Sequence, residues 1–370
     1  MLHDFAPKLA NLITGYSTQV SPGDFVVIIS NTEAAPLVEA LYEAVVMRGA
    51  NPSVQLVLPS LSELLYKLAD GEQLDFLDPI MKLVIEKADV ILQIESPSNM
   101  KSLASSDPAK MARRQQANRT LLETQIRRIG DKSLRWCLMP WPTPAAAQQS
   151  DMGFYAYREF LYRACALDTD NPIAYWESIR DQQQRLVSYL ADKEQMVVTG
   201  PGIDLSFSIK GRTWVSCHGT LNFPDGEFFT GPVEDSVNGT VAFNMPSITY
   251  GREVNGVALT FRDGCVVDAS AQKGEAFLLS QLDLDEGARR IGEFAIGNNW
   301  GIDRVTGSTL LDEKIGGTIH MALGASLPDT NAVNESKLHW DMVHDMKEGG
   351  EIHVDGQPFY RNGKFLVDGN

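Results

Sequence analysis

The chain has 370 residues, 44% hydrophobic and 22% charged, the composition of a folded protein of about two domains and not of a collagen-like, coiled-coil or disordered chain. Its 48 acidic and 32 basic residues give a formal net charge of −16, which argues against neutralising nucleic-acid phosphates or anionic lipid and leaves room for a cationic substrate. Four cysteines (Cys137, Cys165, Cys217, Cys265) form no CxxC pair, so a reducing cytoplasm is expected; no signal segment at Met1–Lys8 and no apolar run of roughly 18 residues is visible, so neither export nor a membrane span is expected.

The first half alternates strand and helix signals. Phe25–Ile29 is a continuous apolar run led in by Ser21-Pro22-Gly23-Asp24, and helix formers from Glu33 to Arg48 end at Gly49. Val54–Leu58 and Asp89–Ile94 repeat the strand signal, with helices expected near 60–69, 74–87 and 108–127 and a further strand at Arg135–Met139. Strands separated by helix-length segments imply right-handed βαβ units in a mostly parallel sheet. No strand is followed by GxGxxG, and GxxxxGK[ST] is absent, so a nucleotide cofactor is not expected. Pro140–Pro144 and the three alanines after it read as a loop, followed by helices at about 151–165 and 171–193, the second opened by Asn171-Pro172.

From about 196 the texture changes. Met196–Thr199, Asp204–Ile209, Val241–Phe243, Val257–Phe261 and Cys265–Asp268 are short, alternating and separated by turn residues, with Asp263-Gly264 a tight hairpin and one helix near 274–293. The expected organisation is an α/β N-terminal domain with a mostly parallel sheet, 1–193, followed by a β-rich α+β domain, 194–370.

The second domain concentrates candidate metal ligands, with five of the six histidines: His218, His320, His339, His344 and His353. On a strand, residues i and i+2 face the same way, so His339-x-Asp341 is a plausible pair of ligands. His353-x-Asp355 has the same form, and the motif alone does not choose between them. Glu227 is delivered between aromatics by the turn Phe223-Pro224-Asp225-Gly226; its bland alternative is a solvated hairpin glutamate. Glu293 stands in the apolar, glycine-bounded segment Ile291–Gly297, where a carboxylate is costly unless paired or bound to metal. Glu313 and His320 flank the Gly316-Gly317 bend.

These residues lie in GEFFTGPVEDSVNG from Gly226, IGEFAIG from Ile291, LDEKIGGTIHMALG from Leu311 and HWD from His339. In order and spacing the four segments resemble the M29 metallopeptidases, the aminopeptidase T and aminopeptidase S family. The resemblance covers most of residues 222–345 and implies a metal-dependent aminopeptidase that releases the N-terminal residue of short peptides through a two-metal-activated water. It implies Glu227, Glu293, Glu313, His320, His339 and Asp341 as metal ligands, with Glu293 bridging and catalytic, and so selects His339-x-Asp341 over His353-x-Asp355. Two divalent ions (zinc, cobalt or manganese) and a homodimer are implied as well. Two features depart from the family pattern: the Glu313–His320 interval is longer, and Leu327 replaces a tyrosine expected after the Ala-Leu-Gly run.

Two other functions compete. A related branch contains hydroxypyridine ring-cleaving dioxygenases with one non-haem iron, in which a histidine stands where this chain has Glu293 and the glutamate at 227 is not kept. A non-catalytic binding protein on the same fold would be expected to have lost ligands, whereas six candidates persist here.

Overall fold

The computed structural model describes residues 4–249 and 252–367; Met1–His3, part of the segment scanned for an export signal, lie outside them. The chain forms two compact units, Met1–Ile173 with Gly219–Pro224, and Ala174–His218 with Asp225–Asn370. The division falls near the start of the Pro172–Leu190 helix, not after it at 193, because Leu186 and Leu190 are fully buried in one core with Met196, Val198 and Phe359 of the β-rich unit. Residues 219–224 return to the first unit, where Leu138 N–H donates to Leu221 O at 2.9 Å and Phe223 N–H to Leu138 O at 2.8 Å.

In the first unit four parallel strands run in the order Asn51–Leu56, Phe25–Ser30, Val90–Glu95, Arg135–Pro140. The central strands bury Val26, Val27, Ile28, Val90 and Leu92 completely, as expected where helices cover both faces of a parallel sheet. The second strand begins three residues earlier than its apolar run suggested, because at a sheet edge Pro52 removes no needed hydrogen bond. The helix expected over 74–87 is two helices, Gly71–Asp75 and Pro79–Lys87, since Pro79 cannot sit inside a helix and instead starts one capped by Asp78 on Ile80 N–H at 2.8 Å. The same device turns the expected loop after Pro140 into a helix, Pro144–Gln149, with Thr143 accepting from Ala146 N–H at 3.1 Å.

The second unit is built on two antiparallel sheets. Eight strands form one, including Gln195–Gly200, Ile203–Ser208 and Glu351–Val354; five form the other, in the order His339–Asp345, Thr318–Gly324, Ile291–Gly297, Glu227–Thr230, Val215–Cys217. Alternate residues of the five-stranded sheet, among them Phe228, Phe294, Ile319, Met321, Trp340 and Met342, share a core with Met196, Leu205 and Phe207 of the other. The opposite face of that sheet therefore carries the other residue set: Glu227, Glu293, His320, His339 and Asp341. Among the described residues no helix is long and apolar enough to cross a membrane.

The helix expected over 274–293 stops at Leu282. Asp285 accepts Ala288 N–H at 3.0 Å and Lys337 N–H at 2.8 Å, which turns the chain away from the helix axis into the Ile291–Gly297 strand. A bulge there opposes Ile291 to Leu323 and Glu293 to Ala322, two residues apart on one strand and one on the other. Without it Ile291 and Glu293 would share a face; with it Ile291 stays in the core and Glu293 turns to the opposite side. Gly292 permits the bulge, because a Cβ there would lie 2.3 Å from the carbonyl oxygens of Gly324 and Ala325. Gly292→Ala is expected to destabilise the unit by about 2–3 kcal/mol and to lose activity beyond what stability explains, read by denaturant titration beside turnover of the residual folded fraction.

Candidate metal centre

Four adjacent strands, His339–Asp345, Thr318–Gly324, Ile291–Gly297 and Glu227–Thr230, bring five of the six expected residues onto one face. Ala295 opposes His320, and Ala322 opposes both Glu293 and Asp341. Alanine thus stands opposite Glu293, His320 and Asp341 on the neighbouring strand, which leaves space on this face for their side chains. Glu293, only 5% exposed, is the centre: its Oε1 lies 3.6 Å from His320 Nε2 and its Oε2 3.3 Å from His339 Nε2. Glu227 Oε2 lies 3.6 Å from His320 Nε2, and Asp341 Oδ1 3.7 Å from His339 Nε2. Two groups result, Glu227–Glu313–His320 and Glu293–His339–Asp341, each with donor atoms mutually within 4.8 Å.

The histidines are set up to present Nε2. His320 Nδ1 lies 2.9 Å from Glu313 O and His339 Nδ1 2.9 Å from Ala325 O. A carbonyl only accepts, so Nδ1 carries a proton and the Nε2 lone pair of a neutral ring is directed at the carboxylates. Glu227 Oε2 and Asp341 Oδ1 are buried and accept no hydrogen bond, an arrangement that is unfavourable unless something cationic takes them up. Nitrogen and oxygen donors with backbone-fixed tautomers and two orphaned carboxylate oxygens fit divalent transition metals.

Electrostatics of the protein alone agree. Burial pushes the Glu227 carboxyl up to about 8, against the pull of Lys314 and His320. Burial and the neighbouring Glu313 raise Asp341 to about 6. Burial also opposes ionisation of Glu293, but the two facing imidazoles outweigh it and bring Glu293 to about 2. Burial disfavours charged imidazoles, yet the carboxylates prevail and raise His320 to about 10 and His339 to about 9. Glu227, His320 and His339 are thus all shifted toward their protonated forms.

Glu313 comes from the C-terminal end of the Thr309–Asp312 turn. Its neighbour Asp312 is used up structurally, accepting Thr306 N–H and Oγ1–H at 2.7 Å each and Gly307 N–H at 2.8 Å. Lys314, which none of the sequence motifs singles out, is fully buried. Its Nζ donates to Glu227 Oε1 at 3.2 Å and also to Glu313 Oε1. Desolvation works against its charge, but Glu227, Glu313 and Asp225 hold it protonated well above the usual lysine range. The available signal was a lysine placed between an acidic pair and a Gly-Gly bend, in a stretch otherwise apolar.

Other candidates fall elsewhere. His353 Nε2 lies 3.9 Å from Glu351 at the surface, and Asp355 sits in a left-handed turn (φ 49°), where Oδ1 caps the N–H groups of Glu194 and Gln195 at 3.1 and 2.9 Å. His344 has the same parity as Trp340 and Met342, so it points into the core, fully buried. Cys217 groups with Asp225 and Glu227, but burial and those carboxylates push its thiol well up, which keeps it protonated. A small recess lined by Pro246, Ile248 and Val343 opens beside Glu313 and Asp341.

The family model described as thermophilic metalloprotease (M29) matches residues 4–365. Aminopeptidase 2 of Geobacillus stearothermophilus is 29% identical over 412 aligned positions, covering 98% of this chain and 97% of that protein. Aminopeptidase T of Thermus thermophilus is 29% identical, covering 97% and 98%. The solved structure of wild-type AmpT from Thermus thermophilus superposes with a TM-score of 0.86 at 27% identity, covering 99% of this chain and all of that one.

Proposed function

Since the chain belongs to the M29 metallopeptidase family and is a metalloaminopeptidase, we propose that it releases the N-terminal residue of short peptides at a centre holding two divalent ions. Glu227, Glu313 and His320 would hold one ion and His339 and Asp341 the other, with Glu293 shared between them. The observation that carries this reading is the placement of Glu293, whose two oxygens each face a different histidine at 3.6 and 3.3 Å. When bound, such a pair of ions polarises a scissile carbonyl and lowers the pKa of water so that it attacks at neutral pH.

The chain's own residues do the rest. Backbone carbonyls fix both imidazoles, and the carboxylates of this face offer a negative field to the α-ammonium of a free peptide N-terminus. A mononuclear iron oxygenase is disfavoured because the face carries two groups of donors, with four carboxylates to two histidines, where the facial triad of such enzymes takes two histidines and a single carboxylate.

Activity on unblocked di- and tripeptides is expected to disappear after chelation and return with zinc, cobalt or manganese, while N-acetylated versions of the same peptides are cut at least about a hundred-fold more slowly. Equal cleavage of acetylated and free peptides, followed by amino-acid release, would remove the exopeptidase assignment. We further expect a cytoplasmic homodimer, which cell fractionation and light scattering test.

A further inference from the structure

Lys314 places a permanent cation inside one of the two ligand groups and not the other. It is completely buried; its N–H donates to Leu311 O at 3.1 Å and its carbonyl accepts Asn299 N–H at 2.9 Å. The side chain is wholly buried and is held at its ammonium end by two carboxylates. Its ammonium engages Glu227 Oε1 and Glu313 Oε1, and so leaves Glu227 Oε2, the orphaned oxygen, as the one facing His320.

We propose that Lys314 is a positioning residue that makes the two metal positions unequal, a built-in cation that weakens divalent binding at Glu227–Glu313–His320 and leaves Glu293–His339–Asp341 as the tight position. This rests on the two-metal reading above. The physical ground is charge. An ammonium with three N–H groups and no lone pair cannot become a ligand, so an incoming ion must share both carboxylates with it. Charges of +1 and +2 about 5 Å apart repel enough to cost at least about ten-fold in affinity even at the dielectric constant of water. The ammonium also holds Glu227 to one free oxygen, so the carboxylate cannot chelate with both.

The test is calorimetric titration of the metal-free, full-length protein with Mn²⁺, with bound manganese counted by elemental analysis. The wild type is expected to show two steps separated by about ten-fold or more in Kd. Lys314→Met is expected to tighten the weaker step about ten-fold or more and leave the tighter one within about two-fold. Asp341→Asn is expected to remove the tighter step and keep the weaker; this arm leaves Lys314 intact and ranks the positions should K314M not fold. Equal steps in the wild type, an unchanged or weakened second step in Lys314→Met, or loss of the weaker step in Asp341→Asn would overturn the inference while leaving two metals in place. Uptake of no manganese, or of a single ion, would overturn the two-metal reading itself.

Discussion

Glu293→Ala is expected to lower peptide turnover by about a thousand-fold or more, the scale associated with losing a preorganised charged group at the reacting centre, and to reduce bound metal below that of any single change at Glu227 or Asp341. The reason is topological. Glu227 and Asp341 each face one histidine, whereas Glu293 faces both, so its removal strips a donor from each group at once. Glu293→Gln separates charge from volume: it keeps the shape of the side chain and the bulge at Gly292, and should be nearly as inactive. His353→Ala serves as the comparison, because that imidazole lies at the surface beside Glu351; it should retain activity and metal. Full turnover in Glu293→Ala would end the site assignment.

The second large effect is the pH dependence of stability in the metal-free protein. His320 and His339 are raised to about 10 and about 9, and Glu227 to about 8. For each, the folded state binds a proton more tightly than the unfolded chain. Stability from these groups is fully present below their unfolded values, near 6.5 for the histidines and 4.5 for the glutamate, and is lost as pH rises through the folded values. Glu293, at about 2, has the opposite sign: its contribution is present above 4.5 and lost only as pH falls toward 2. Between pH 6 and 10 the metal-free protein should therefore weaken steadily, by roughly 1.4 kcal/mol per pH unit for each excess proton held by the buried His320 and Glu227. Bound divalent ions replace those protons, so the rise in Tm on adding metal should grow over the same interval. Thermal melts at pH 6, 8 and 9.5 with and without metal decide it; a metal-free protein as stable at 9.5 as at 6 would show that the site does not hold protons in place of metal.

Much of this was legible without coordinates. The α/β half declared itself through apolar runs separated by helix-length segments, and Phe25, Val90 and Arg135 fall in parallel strands as expected. Four short motifs in order pointed to the family, to which the chain belongs over residues 4–365. Local signals failed where a single residue overrode a longer pattern. Pro79 divided one helix, Thr143-Pro144 created another, and Asp285 ended a third before it reached Glu293.

The sequence by itself determined the chemical inventory: which carboxylates and imidazoles exist, and that His339 and Asp341 share a face if they lie on a strand, since alternation follows from the backbone alone. Only the tertiary structure decided how that inventory is divided. The bulge at Gly292 exists only once the Ile291–Gly297 and Thr318–Gly324 strands pair, and it determines which way Glu293 points. His339-x-Asp341 and His353-x-Asp355 have the same spacing, but the first lies wholly on a strand of the five-stranded sheet, whereas the second has His353 on the eight-stranded sheet and Asp355 in the turn after it. Lys314 lies 87 positions from Glu227 yet 3.2 Å from its oxygen. Such proximity comes from long-range strand pairing and burial, which local periodicity does not encode.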